Sequence, residues 1–336
     1  MKKVALFLLF LLLIIPTHLS FADSTNILKL DFKTEAFFHN LEYLEEAAEF
    51  KEGQTFFGNH VWFQGVYEAN EEVSFSTGVF FGKIYGSEKS LDPIEPLLTF
   101  DYHPDDDFRF VFGNLDTKKH KLWEAIFDDV IRYDRPLETG AEIFYAHNAF
   151  SERVWINWQK LNTSKHREKF DIGSISKLNL DPLSFEAQAH IIHEGGQLHS
   201  EGSLSDNFVI GVGAQYKVRA LNESRVSVRW LYSYDRPDRS DESLTKSGRG
   251  VEIEFYIPLS DWEIIYSAWF GDDFLTEDGD PFYRADELMK LEINKTFNIT
   301  KNVEIVMGVT GFWLEDAFTH SEKVLLSYST DFNMFN

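Results

Sequence analysis

The 336-residue sequence predicts an all-β fold, a transmembrane antiparallel up-and-down β-barrel of about 16 strands, within bounds of about 14–18. Three observations carry this expectation. Apolar residues recur at every second position in runs of about eight to thirteen residues, longer than the usual strand of a globular domain and suited to the ~9–11 residues of a tilted membrane-crossing strand. The links between runs alternate between short turns and long loops, as they do between the two rims of an outer-membrane barrel. The chain also opens with a leader of secretory type.

In chain order, Lys2 and Lys3 precede an unbroken apolar run from Val4 to Ile15, followed by Pro16 and Ser20-Phe21-Ala22. Residues 1–22 therefore read as a signal peptide and residues 23–336 as the barrel, because the run falls short of the ~20 residues of a spanning helix. Strands are expected at 26–38, 56–68, 72–84, 96–103, 107–114, 139–147, 152–160, 168–176, 182–193, 206–219, 224–235, 247–258, 261–271, 286–297, 302–314 and 320–335. Leu28, Leu30 and Phe32 alternate with Lys29, Asp31 and Lys33 in the first. Phe208, Ile210, Val212, Ala214 and Tyr216 alternate with Gly211, Gly213, Gln215 and Lys217 in the tenth, and Val324, Leu326, Tyr328, Thr330 and Phe332 recur at every second position in the last. Long loops fall at 39–55, 85–95, 115–138, 161–167, 194–205, 236–246, 272–285 and 315–319, with short turns between them. Trp62, Tyr67, Tyr102, Tyr145, Trp158, Tyr234, Trp262, Phe270 and Trp313 stand near strand ends, where interfacial girdles require aromatic residues.

Composition narrows the function. The absence of cysteine excludes disulfide scaffolds, thiolate metal sites and cysteine nucleophiles, and 55 acidic against 32 basic residues (net charge −23) argues against nucleic acid as a partner. A chain that is 16% aromatic yet has a mean hydropathy of −0.27 fits a wall that is apolar on one face and polar on the other. A barrel this wide leaves an aqueous lumen. Residues expected to line it include Arg109, Arg153, Glu186, His190, Glu252, Glu254, Lys290 and Glu292. The longest loop, 115–138, carries Leu122, Trp123, Ile126, Phe127, Val130 and Ile131 at helical spacing, with Glu124, Asp128 and Asp129 between them.

These residues, the strand pattern and the aromatic C-terminal strand ending in Asn333-Met334-Phe335-Asn336 resemble the Gram-negative outer-membrane barrels, and at the level of topology the general porins. The resemblance implies a bacterial outer-membrane location, contact with outer-membrane lipids and lipopolysaccharide, recognition by the barrel-insertion machinery, and a homotrimer. It also implies a third loop folded into the lumen. Glu124, Asp128 and Asp129 would then face a basic wall of Lys217, Arg219, Arg225 and Arg229, although Arg225 and Arg229 can equally pair with Glu252 and Glu254 across adjacent strands. The function expected is porin-like passive diffusion of small hydrophilic solutes or ions, with no cofactor, no metal site and no enzymatic activity.

A lipid-hydrolase barrel is the alternative, with a structural or adhesive barrel behind it. His320-Ser321 and His199-Ser200 lie on the long-loop rim with Glu322 and Glu201 as orienting carboxylates, but no Gly-x-Ser-x-Gly elbow is present. His190, His193 and Glu194 have a spacing that attracts metals, yet on a strand such a set is split between faces.

Overall fold

The computed structural model describes residues 27–43, 45–89, 91–115, 117–196, 198, 201–315 and 317–334, so the expected signal peptide and the terminal Phe335 and Asn336 lie outside the described residues. The strands are β1 (Ile27–Glu42), β2 (Gln54–Glu68), β3 (Val73–Ile84), β4 (Ile94–Tyr102), β5 (Phe108–Leu115), β6 (Glu138–His147), β7 (Phe150–Lys160), β8 (Glu168–Leu180), β9 (Leu183–Gly195), β10 (Ser205–Val218), β11 (Ser224–Arg236), β12 (Lys246–Leu259), β13 (Trp262–Asp272), β14 (Glu287–Thr300), β15 (Val303–Leu314) and β16 (Ala317–Asn333). Each pairs antiparallel with its sequence neighbours, and β16 closes on β1. The ends differ from the sequence expectation by at most about four residues, the ordinary uncertainty of strand boundaries. Closure gives every strand a partner on both sides, as strands in lipid require, although β4 meets β5 only over Thr99–Tyr102.

Register assigns the faces. On β9, Phe185 and Ile191 are about two-fifths exposed while Gln188, His190 and Ile192 are almost fully buried, so odd-numbered residues of this strand face lipid and even-numbered ones face the lumen. The same division runs around the barrel.

The lumen departs from the expected aqueous channel. Its outer half is filled by three loops: L1 (43–53), L3 (116–137, with the single helical turn α1, Ile131–Asp134) and L7 (273–286). Tyr43 and Ala47 from L1, Trp123, Ala125 and Ile126 from L3, and Phe274, Phe282 and Tyr283 from L7 form one apolar cluster with the inward-facing Phe37, Leu41, Phe56, Val209, Leu231, Trp269, Leu288, Phe312 and Leu314 of the wall. These inward positions are apolar, against the alternation that holds below them, and burying them against loops is favourable at ~25 cal/mol per Å². The wall makes room for the largest rings with glycine: a side chain at Gly250 would stand 2.0 Å from Trp269, and one at Gly173 2.0 Å from Trp155. Below the loops, toward the short-turn rim, a polar cavity of about 740 Å³ remains, lined by Lys29, Asp31, Lys33, His60, Trp62, Gln64 and Arg109 and roofed by Tyr133, Pro136 and Leu137.

Candidate functional site

The inward-folded loops form a plug that carries the acidic residues expected at the constriction. Lys51 of L1 stands 2.6 Å from Asp128 of L3 and 3.2 Å from Asp280 of L7, joining all three loops. Burial disfavours its charge, yet Asp280 and Asp128 hold the Lys51 ammonium above its usual range. Glu124 pairs with Lys290 of β14, and burial pushes its carboxyl up to about 6 against the pull of that lysine. Burial likewise raises the Asp128 and Asp280 carboxyls. Glu124, Asp128 and Asp280 bring oxygens within 4.8 Å of one another, a spacing that suits a divalent ion, but two lysine ammoniums already occupy this cluster. His120 of L3 lies between Glu138 and Glu142 at 2.6 Å from each and stacks on Trp155, so its pKa is raised despite burial.

The basic wall expected opposite L3 is corrected. Lys217 pairs with Glu223 and Arg219 with Asp181 at the short-turn rim, while the Arg225 guanidinium lies 3.9 Å over the Tyr256 ring. These three sit at the wrong end of their strands to meet L3. Arg229, further up β11, pairs with Glu252 and Glu254 at 2.6 and 2.8 Å and lies over the ring of Trp123 in L3. Asp129 takes Arg132 from its own loop. Of the expected lumen residues, Glu292 pairs with Lys323, Arg153 with Glu142, Arg109 with Asp101, Glu186 with Lys177, and His190 lies 3.4 Å from Asp171. A water-filled site with free charges is absent from the outer half among the described residues.

The rim Ser–His pairs fare no better. His320 faces outward, 2.8 Å from Glu322, whose carboxylate accepts from Asn40 at 3.2 Å, but Ser321 on the next position faces the lumen and is buried. Adjacent strand residues point to opposite faces, so the two cannot form a dyad. His199 and Ser200 lie outside the described residues.

A more convergent constellation occupies the lipid-facing wall of β8 to β10, at its long-loop end. Strand register places Phe170, His193 and Asp206 side by side on the outer face. His193 Nδ1 lies 2.8 Å from Asp206 Oδ1, and Asp206 is gripped through both oxygens by Arg239, with Nη2 donating at 2.6 Å. With Asp206 ionised it can only accept, so Nδ1 carries the proton and Nε2 is left as a base. The backbone beyond His193 is shaped for this. A side chain at Gly195 would stand 2.3 Å from His193 Nε2, and Gly196 adopts φ +102°, where a side chain would also meet the Asn162 amide at 2.5 Å. Arg167 donates to the Gly196 and Gly202 carbonyls at 2.9 and 2.8 Å and braces this loop.

Asn162, Glu168, His193, Gly196, Leu198, Leu204 and Arg239 line a pocket of about 550 Å³ here. Asn162 Oδ1 is buried without a hydrogen-bond partner among the described residues. Stacked pairs flank the histidine, Trp158–Phe170 at 5.1 Å on one side and Phe208–Tyr234 at 4.9 Å on the other. The pocket therefore lies in the outer aromatic girdle. His193 stands eight positions above the lipid-facing Phe185 of the inner end. At ~3.3 Å per residue and a tilt of about 40°, that is roughly 20 Å along the membrane normal, close to the ~25 Å apolar band. This is the depth at which acyl chains join their headgroups.

Sequence reasoning named His193 only as one of a metal-like set with His190 and Glu194, and passed over Asp206, Arg239 and Asn162. The available signal was His193 as an ionisable residue on the apolar face of a strand, followed by the paired glycines Gly195-Gly196.

Three solved barrels are similar to this chain in fold. They are the loop-deleted OmpT of Vibrio cholerae (TM-score 0.58, 9% identity, covering 91% of this chain and 100% of that one), the anion-selective porin of Comamonas acidovorans (0.54, 10%, 92% and 100%) and OccK8 of Pseudomonas aeruginosa (0.51, 10%, 90% and 98%). No curated protein sequence matches. Residues 21–336 match the model of the family described as Lipid A 3'-O-deacylase-type. The barrel and the family are those of the bacterial outer membrane, and the family description points to an enzyme, which corrects the expectation of a barrel without enzymatic activity.

Proposed function

This chain belongs to the Lipid A 3'-O-deacylase-type family, and from that premise we propose that it hydrolyses an acyl ester of a lipid A-type glycolipid at the outer face of its own wall. The observation that carries the reading is the His193–Asp206 pair beside a pocket in the outer girdle. A lipid-anchored ester reaches that position by lateral diffusion, with its acyl chain along Ile191, Ala189 and the flanking aromatic pairs.

The chemistry needs one base, one orienting carboxylate and donors for the developing oxyanion. His193 Nε2 takes a proton from water as the water oxygen attacks the ester carbonyl. Asp206 holds the imidazole tautomer and supports its transient positive charge. The remaining Arg239 N–H groups and the Asn162 amide are the available donors to the tetrahedral oxygen. His193 then returns the proton to the departing sugar oxygen, giving a free fatty acid and an alcohol. Among the described residues no serine or threonine hydroxyl hydrogen bonds to His193, which favours water over a covalent nucleophile.

The test is release of fatty acid from purified lipid A by the full chain in detergent micelles. His193→Gln is expected to lower kcat by about 10²–10⁴-fold. Undiminished turnover in that variant would sink the assignment.

The diffusion reading keeps one supporting observation, the cavity of about 740 Å³ open to the short-turn rim. Planar-bilayer conductance of the refolded chain tests it, and a conductance near zero would remove it.

A further inference from the structure

A second polar feature interrupts the lipid-facing wall nearer the short-turn rim, on β6 to β8, with its serines in register with β9 residues four and six positions below His193. Glu152 of β7 lies between Phe150 and Val154, both about two-fifths exposed, whereas the neighbouring Trp155 is buried in the lumen, so Glu152 faces lipid. Ser174 Oγ donates to its Oε1 at 2.9 Å and Ser176 Oγ donates to its Oε2, both from the outer face of β8. Across the other strand pair, Tyr145 stands directly opposite Glu152 and is 40% exposed. Beyond the serines, Ala187 and Ala189 of β9 leave the surface low.

Among the described residues the carboxylate has hydroxyls but no counter-ion. Among the described residues, each nearby cation is turned elsewhere: Arg153 to Glu142, Lys177 to Glu186 and His147 to Asp107. A charged side chain against lipid is unfavourable and calls for a partner. The site lies two residues from Phe150 and the short turn that precedes it, about 5 Å along the membrane normal and within reach of the headgroups of the inner leaflet. A carboxylate, two hydroxyls and an aromatic ring around a shallow notch are the groups that recognise a primary ammonium.

We propose that Glu152, Ser174, Ser176 and Tyr145 form a binding site for the primary ammonium of an aminophospholipid headgroup in the periplasmic leaflet. The ammonium supplies the missing counter-charge and donates to the carboxylate, and its acyl chains run up the Val154–Ile156 face. This site is independent of the hydrolytic reading.

Native mass spectrometry of the full chain in detergent, titrated with phosphatidylethanolamine, phosphatidylglycerol and phosphatidylcholine, tests the proposal. Phosphatidylethanolamine is expected to bind several-fold more tightly than the other two, since one lacks the cation and the other lacks N–H donors. Glu152→Gln abolishes that preference, and Tyr145→Leu, which keeps the carboxylate, weakens it. Lipid A hydrolysis is unchanged in both, which separates this site from the one at His193. Equal binding of the three lipids by the unaltered chain, or an undiminished preference in Glu152→Gln, overturns the proposal.

Discussion

Lys51→Met tests the plug most directly, because one ammonium joins L1, L3 and L7. Its removal leaves Asp128 and Asp280, with side chains only 8% and 3% exposed, facing each other without a cation. Breaking a buried pair by deleting one partner costs about 3–5 kcal/mol, well above the near-zero value of a surface pair. The cost depends on pH with a definite sign. Burial already raises both carboxyls above their unfolded range, and losing Lys51 raises them further. Between the unfolded and folded values the folded state binds more protons, so its stability falls as pH rises through that window. The variant's deficit is therefore larger at pH 8 than at pH 5. Equilibrium urea unfolding in lipid vesicles at the two pH values measures it. Adding Asp128→Asn to Lys51→Met should recover part of the loss. A deficit below about 1 kcal/mol at both pH values, or a double variant less stable than the single, would mean that Lys51 does not tie the three loops together.

Four further outcomes are expected. Asp206→Asn leaves His193 in the wrong tautomer and lowers kcat for lipid A hydrolysis by about 10²–10⁴-fold with little change in KM. Gly196→Ala, strained at φ +102° and pressed on Asn162, lowers the same rate while leaving global unfolding within about 1 kcal/mol, measured by urea titration. His320→Gln and Ser321→Ala leave hydrolysis unchanged, since the two side chains lie on opposite faces, and a large loss in either would move the site to that rim. Glu124→Gln removes a pH dependence: the carboxyl at about 6 gives the unaltered chain at most about 2 kcal/mol more stability at pH 5 than at pH 7, and the variant shows none of it in paired unfolding curves.

The barrel was legible in the sequence because period-two alternation has a single structural meaning in a strand that faces lipid. Loop lengths supplied the closure and the rims. What the alternation concealed was the filled outer lumen, although a signal was present in the places where it fails. Phe37-Phe38, Val111-Phe112, Trp155-Ile156, Ile191-Ile192, Val209-Ile210, Trp230-Leu231, Trp269-Phe270 and Trp313-Leu314 are apolar on consecutive positions. In each, one member faces lipid and the other is buried inward. Two apolar faces at one level of a wall require apolar matter on both sides, and only inward-folded loops can provide it. The partners of the plug charges were beyond reach for a different reason. Lys51, Glu124 and Asp280 lie far apart in the chain, and their meeting depends on how three loops fold together within the barrel.

A filled lumen and a lipid-facing pocket belong to one arrangement. L7 packs on the inner surface of the strands that carry the pocket outside: Lys169, next to Glu168, pairs with Glu277, and Asn207, next to Asp206, accepts from the Glu277 backbone N–H at 3.2 Å. Side chains alternate across the wall, so each of these inward anchors fixes a strand whose adjacent outward residue belongs to the site, Glu168 in the pocket lining and Asp206 as the partner of His193. A porin wall has to be stiff only against a water-filled bore. A wall that positions an imidazole against a carboxylate at 2.8 Å gains from packing on its back face, and here the plug provides it. Loosening L7 should therefore reduce turnover at a site it does not touch. Glu277→Gln is the mildest version, because it removes the charge partner of Lys169 and keeps the backbone bond to Asn207. A measurable fall in kcat with unchanged lipid A binding would locate the coupling in the wall, whereas an unaltered kcat would mean that strand pairing alone holds the site.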